Sequence, residues 1–175
     1  MSLKAVAFDL GHTLMDERTD GHLPIEARPI HLMPGVAEMV PQLTLPLAVW
    51  GNTRVAAEPE VRRWLDRAGL GPRFTWVVTS VDAGVRKPHA AFFEYALARC
   101  RLSKEEVLFV GNQLDTDVAG ARMFGIRTVW LSDDAYRSPD DRGSDARPTY
   151  VISTLRELPA LVARLRSVDT FGDHF

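Results

Sequence analysis

The chain is poor in cysteine: Cys100 is the only one among 175 residues. That excludes a disulfide within the chain and any zinc site built on cysteine pairs. Cys100 lies in an apolar helical pattern, where a thiol serves as a small core residue. An excess of either charge is also missing, since 21 basic residues face 23 acidic ones for a net charge of −2. Arginine far outnumbers lysine, but the arginines are scattered among acids, so nucleic-acid binding has no electrostatic footing. No apolar run approaches the roughly 20 residues of a membrane-spanning helix. Met1-Ser2-Leu3-Lys4 leads directly into an apolar strand, without a leader-like segment. These absences set the expectation of a cytoplasmic protein with no membrane and no nucleic-acid partner.

What is present suits one folded domain. Apolar residues make up 46% of the chain, enough for a continuous core. Residues 3–10 read as a first buried strand, because an apolar run of that length fits a parallel strand covered on both faces. Charges and prolines without period over 15–33 predict a loop. Pro34 opens a short helix through Leu43, weakened by Pro41. A second strand covers 45–50, a helix 59–70 and a third strand 74–79. A helix follows through Phe92, Phe93 and Leu97, then a strand over 106–110 preceded by a capping-box pattern at 103–106. A helix over 115–124, a strand over 128–131, a loop over 132–148, a short strand over 150–152 and a helix over 155–165 capped by Ser153 complete the chain. Strands alternating with helices predict an α/β, Rossmann-like doubly wound sheet, mostly parallel, of five to six strands with helices on both faces. Residues 1–167 form one domain, with 168–175 as a frayed tail.

Several strands end on a polar group. The first ends on Asp9, the second on Asn52 and Thr53, and the fourth on Asn112 with Asp115 and Asp117 just beyond. Lys87 follows a loop between the third and fourth. In open α/β sheets such ends converge on one crevice. By itself, Asp9 divides evenly between a turn residue before Gly11 and a chemical group. The set as a whole reads as a carboxylate nucleophile, an amide or hydroxyl phosphate clamp, a cation and a second acidic or amide pair. A carboxylate can attack phosphorus to form a covalent intermediate. A lysine can neutralise the phosphoryl oxygens. Oxygen ligands suit Mg²⁺, which keeps part of its water and also binds substrate phosphate.

Four motifs in order resemble the haloacid dehalogenase superfamily of hydrolases, most of which are Mg²⁺-dependent phosphatases. Phe8-Asp9-Leu10-Gly11-His12-Thr13-Leu14 resembles its first, Asp-x-Asp-x-Thr, and Trp50-Gly51-Asn52-Thr53 falls where its Ser/Thr-Asn motif belongs. Gly84-Val85-Arg86-Lys87-Pro88 matches its lysine-proline motif. Val110-Gly111-Asn112-Gln113-Leu114-Asp115-Thr116-Asp117, with Gly120-Ala121 and Gly125 after it, resembles its Gly-Asp-x-x-x-x-Asp motif. The resemblance runs from about residue 5 to 131. It implies a phosphohydrolase acting through an aspartyl-phosphate on Asp9, with Lys87 holding the phosphoryl group and Asp9. It implies phosphate contacts from Asn52 and Thr53. It also implies Mg²⁺ bound by Asp9, the Gly11 carbonyl, Asn112 and Asp117. Asp115 is then a helix N-cap.

The chain departs from that pattern at three places. The second aspartate of motif one, the general acid/base worth ~10²–10⁴-fold, is Gly11 here. The motif-two hydroxyl is displaced to Thr53. Asn112 replaces a metal-binding aspartate, removing one negative charge. The missing proton donor is to be sought in His12 or in Asp16, Glu17, His22 or His31, or the substrate carries a good leaving group, as an acyl phosphate does. Neither gap in the core is long enough for one of the superfamily's larger caps, so an open crevice is expected, suited to a small phosphorylated or bulky substrate or to a lid from another subunit of a homodimer. The alternative is a degenerate domain that binds a phosphorylated ligand or a protein partner without turnover. A receiver-type phosphoacceptor domain, with its acidic pair before the phosphoacceptor strand and its lysine near the chain's end, fits the order of residues less well.

Overall fold

A computed structural model describes residues 2–132 and 146–172, with side chains to 168. Six parallel strands form one sheet: β1 (Ala5–Phe8), β2 (Leu47–Gly51), β3 (Phe74–Thr79), β4 (Val107–Gly111), β5 (Arg127–Leu131) and β6 (Tyr150–Ile152). Their order is β3-β2-β1-β4-β5-β6. The chain therefore winds outward from β1 on one side, then returns to β4 and winds outward on the other. The order reverses between β1 and β4, which is where an open α/β sheet places its crevice. Phe8 pairs with Val49 on one side and Val110 on the other, so three central strands end level.

Every residue of β1, β2 and β4 is buried, because helices cover both faces of the sheet. Alternate side chains feed two cores. Phe8, Leu47, Val49 and Phe74 point to one side, with Trp64 and Leu65 of α2 (Glu58–Arg67) and Leu158 and Val162 of α6 (Leu158–Gly172). Ala7, Ala48, Trp50 and Phe109 point to the other, where Phe92 and Phe93 of α4 (Ala90–Cys100) meet them. Trp50 lies between the rings of Phe93 and Phe109, at 6.5 and 5.5 Å. Cys100 belongs to this second core, and burial pushes its thiol up to about 11, so it is a packing residue. Among the described residues no helix is long and apolar enough to cross a membrane.

Three expectations need correction. The first strand stops at Phe8, not residue 10: the Asp9 N–H still donates to the Val110 carbonyl (2.8 Å), but the Leu10 carbonyl then accepts from Leu14 and Met15, closing a turn. The helix expected over 115–124 opens as a wide π turn (Leu114–Ala119) before α5 (Gly120–Phe124), and its N-cap is Gln113, leaving Asp115 exposed in the first turn. At the last helix the capping hydroxyl is that of Thr154, not Ser153, and the helix continues to Gly172, past the expected end at 165. Most of the expected 132–148 loop, residues 133–145, lies outside the described residues, as do 173–175.

Residues 15–33 are irregular, as expected, and they are pinned to the core. Met15 bridges to Gly11 and to Leu32, and Asp16 N–H donates to the His31 carbonyl (2.8 Å). Ile25 enters the core on a single 3₁₀ turn (Ile25–Ala27). From α2, Arg67 donates to the carbonyls of Glu26 and Arg28. This strap lies across the mouth of the crevice, and no larger cap is inserted among the described residues.

Candidate active site

The crevice is organised by one buried cation. Lys87 Nζ lies 2.6 Å from Asp9 Oδ1, 2.7 Å from Asp117 Oδ1 and 2.8 Å from the Trp50 carbonyl. An ammonium has three protons, and these three acceptors use them all. The Lys87 side chain is 1% exposed, and its Nζ also stands 5.1 Å from the centre of the Phe109 ring. Burial alone would lower its pKa, but Asp117 and Asp9 outweigh burial and hold it above the ordinary lysine range. The lysine is thus a permanent charge. Asp117 responds in the other direction: burial first, then the neighbouring Asp9 charge, push its carboxyl up to about 6 against the pull of Lys87.

Local sequence explains how three distant segments meet. A Cβ on Gly111 would come within 2.5 Å of the Asp117 Cβ, so a residue without a side chain ends β4 where Asp117 folds back over it. A Cβ on Gly120 would come within 2.7 Å of the Pro88 Cβ, so α5 accepts the cis Lys87–Pro88 unit against its backbone. Asp117 Oδ2 accepts from the Gln113 N–H (3.1 Å), which sets the carboxylate's orientation.

The expected phosphate clamp is used differently. Asn52 Nδ2 donates to the Lys87 carbonyl (3.0 Å) and the Lys87 N–H donates to Asn52 Oδ1 (2.9 Å). The Thr53 hydroxyl donates to the Ala56 carbonyl (2.6 Å), while the Thr53 backbone exchanges bonds with the Ser80 hydroxyl. Both residues line the crevice, but their side chains first of all hold protein.

Two residues have functions that the motif reading did not assign. Thr13 is fully buried, with its hydroxyl 3.2 Å from Asn112 Oδ1 and 3.4 Å from Asp9 Oδ2. It sits four residues after Asp9, at the last position of the first motif, which is the signal that could have found it. Trp130 donates from its indole to the Asn112 carbonyl (3.0 Å) and braces that residue. Nothing in its neighbours in sequence indicates the contact.

Among the proposed proton donors, His22 and His31 are exposed. Asp16 is taken by Arg18, whose guanidinium lies 2.6 Å away and lowers the carboxyl. His12 is half-buried with a left-handed backbone (φ 57°). Glu17 is paired with Arg28 at the wall of the crevice.

The oxygens available to a cation are Asp9, Asn112, Asp117 and the Gly11 carbonyl. Asp9 Oδ2 and Asn112 Oδ1 converge on the single Thr13 hydroxyl, so two side-chain oxygens already face one point. An all-oxygen set of this kind fits Mg²⁺. Among the described residues no group of three or more His, Cys, Asp or Glu side chains is gathered to hold a metal. Beyond it opens a cavity of about 510 Å³, walled by Gly11, Glu17, Arg28, Asn52, Arg54 and Arg86 among others. Residues of the 15–33 strap, Glu17 and Arg28 among them, form part of this wall. Arg54 and Arg86 are exposed.

A model of the HAD-hydrolase-like family matches residues 84–158. The chain is 36% identical to the glyceraldehyde 3-phosphate phosphatase of Methanocaldococcus jannaschii over 61% of its own length and 46% of the relative's. It thus spans about half the length of the curated relatives it matches. An uncharacterized protein from Listeria monocytogenes serotype 4b has a similar structure, with a TM-score of 0.81 and 25% identity, covering 94% of this chain and 99% of that one. The HAD-hydrolase YfnB of Bacillus subtilis, solved bound to magnesium, shares the fold at a TM-score of 0.72 and 19% identity, over 93% of this chain and 99% of that one.

Proposed function

Because the chain belongs to the haloacid dehalogenase-like hydrolase superfamily, we propose that it is a Mg²⁺-dependent phosphohydrolase acting through an aspartyl-phosphate on Asp9. The observation that carries this reading is the fully buried Lys87 ammonium bridging Asp9 and Asp117 at the ends of β1 and β4. Carboxylates and a lysine buried this way, close in sequence to Gly11 or hydrogen-bonded to Asn52, both of which wall the cavity, suit attack on phosphorus better than they suit stability.

In the first step an Asp9 oxygen forms a bond to phosphorus as the leaving oxygen departs with its electron pair. In the second, water attacks the same phosphorus and the bond to Asp9 breaks. Lys87 keeps Asp9 ionised and offsets the charge of the phosphoryl oxygens throughout. Asn52 keeps Lys87 in place and offers its second Nδ2 proton to the phosphate, and Thr53 joins by releasing Ala56. Asp9, the Gly11 carbonyl, Asn112 and Asp117 would hold Mg²⁺, which when bound neutralises phosphoryl charge. With Arg54 and Arg86 at the cavity wall, without an ion-pair partner among the described residues, the favoured substrate is a small phosphorylated molecule with a second anionic group.

The test is an assay with Mg²⁺ against p-nitrophenyl phosphate and a panel of acyl and alkyl phosphates, beside Asp9→Asn. Turnover that Asp9→Asn abolishes is the expected result. Activity that survives the substitution, or none with any substrate, rejects the reading. Gly11 and Asn112 favour a second reading, a domain that binds a phosphorylated ligand without hydrolysing it. Calorimetric binding of a phosphorylated ligand in the absence of any turnover would support that one.

A further inference from the structure

We infer that Glu17 supplies through space the carboxylate that position 11 lacks along the chain, as the proton acceptor for the water of the second step. The inference rests on the phosphohydrolase reading of the same crevice. A Cβ built on Gly11 would lie 2.9 Å from Glu17 Cδ and closer still to Oε2. The space from which an aspartate at position 11 would project is therefore already filled by a carboxylate.

Glu17 is held there by an anchored partner. Its Oε1 accepts from Arg28 Nη1 in an ion pair whose side chains are 28% and 14% exposed. Arg28 is fixed in turn, donating from Nε to the Leu23 carbonyl and from Nη2 to the Gly21 carbonyl, each at 2.9 Å. Nη1 also reaches Met15 Sδ, and the Arg28 carbonyl accepts from Arg67 of α2. The strap across the crevice thus delivers one carboxylate to Gly11. Oε1 is committed to Arg28, and it is Oε2 that faces Gly11.

A carboxylate accepts protons and donates none, and Arg28 takes Oε1 and not Oε2, so the acceptor's part falls to Oε2. As the water oxygen attacks phosphorus, one water proton passes to Glu17 Oε2. The bond from phosphorus to Asp9 breaks, and its electron pair returns to the Asp9 carboxylate. Phosphate leaves, and the proton passes from Glu17 to solvent. The first step receives no proton from Glu17, so the leaving oxygen must be stable as an anion. The substrate class is then an acyl phosphate, or another phosphate with an equally stable leaving group, in preference to an alkyl phosphate.

Stopped-flow measurement with p-nitrophenyl phosphate and Mg²⁺ tests this. Glu17→Gln preserves the shape and a hydrogen bond to Arg28, so the fold is kept. The expected result is a p-nitrophenolate burst at the wild-type rate followed by steady turnover slowed roughly 100-fold, with phosphoenzyme accumulating on Asp9 by intact mass. Gly11→Asp combined with Glu17→Ala, which clears the space, should recover steady turnover, whereas Gly11→Asp alone collides with Glu17 and should not gain. Unchanged turnover in Glu17→Gln, or burst and steady rate falling in equal proportion as a mere packing role would produce, overturns the inference. Absence of Asp9-dependent turnover in the wild-type protein is a different result, and it removes the phosphohydrolase reading itself.

Discussion

The Asn52 carboxamide and the Lys87 backbone exchange two hydrogen bonds across 35 positions of sequence, Nδ2 to carbonyl at 3.0 Å and N–H to Oδ1 at 2.9 Å. They tie the end of β2 to the segment that carries the buried Lys87 ammonium. Asn52→Ala removes both bonds and leaves the Lys87 backbone groups to find water. The expected cost is about 1–3 kcal/mol of stability, and a cation displaced by a fraction of an ångström should lower kcat/KM by on the order of 10–100-fold. Denaturant unfolding and steady-state kinetics measure the two effects. Lost stability with intact kcat/KM would leave Asn52 a structural residue only.

Lys87 stands between two carboxylates that cannot both remain charged without it. Lys87→Met leaves Asp9 and Asp117 buried without a counter-charge, and the expected loss is on the order of 3–5 kcal/mol. Removing a charge as well, in Lys87→Met/Asp117→Asn, should return part of that stability while activity stays absent. Denaturant midpoints of the two variants decide the point: if the double variant is no more stable than the single, the loss is one of packing around the lysine stem.

Asp117 makes stability and metal affinity depend on pH in opposite senses. Its carboxyl is raised from 3.8 to about 6, so the folded protein keeps a proton that the unfolded chain has released. That contribution is complete below the unfolded value and is lost as pH rises through about 6. Without metal, the Tm of Asp117→Asn should therefore rise relative to wild type between about pH 5 and about pH 7.5. Carboxyls held low by surface partners, such as Asp16 and Glu60, are common to both proteins and cancel in the difference. Mg²⁺ competes with the same proton, so calorimetric Mg²⁺ affinity should increase over the same interval. A Tm difference that stays flat with pH would show that Asp117 is ionised throughout.

Arg54 and Arg86 give the cavity wall two cations in addition to the Arg28 that Glu17 neutralises. Exposed charges of this kind are worth about 1 kcal/mol or less each. Arg54→Ala and Arg86→Ala should accordingly raise KM several-fold for a phosphate with a second anionic group, and leave p-nitrophenyl phosphate nearly unaffected. Equal effects on both substrates would assign the arginines to the phosphate itself.

The sheet was largely legible beforehand because buried parallel strands are written as short apolar runs. The third and sixth strands, Phe74–Thr79 and Tyr150–Ile152, stand where the runs predict, and the ends of the others shift by one or two residues. What was not legible depended on contacts far away in sequence. The strap over 15–33 has no period, and its order comes from Arg67 and from bridges to Met15 and Leu32. The π turn at Leu114–Ala119 carries Asp117 back over Gly111, a path that helical periodicity does not encode.

At the site the division is sharper. The sequence by itself determined which chemical groups stand at the strand ends, because a polar residue closing an apolar run has nowhere to go but the crevice. It also exposed the missing aspartate at Gly11. Only the tertiary structure decided how the hydrogen-bonding capacity of those groups is spent. Asn52 serves Lys87, Thr53 serves Ala56, and Lys87 divides its protons between Asp9, 78 positions away, Asp117 and Trp50. It alone placed the Glu17 carboxylate against Gly11. The reason is physical: a donor or acceptor is committed by whatever group the fold brings within about 3 Å of it, and spacing along the chain carries no record of that distance.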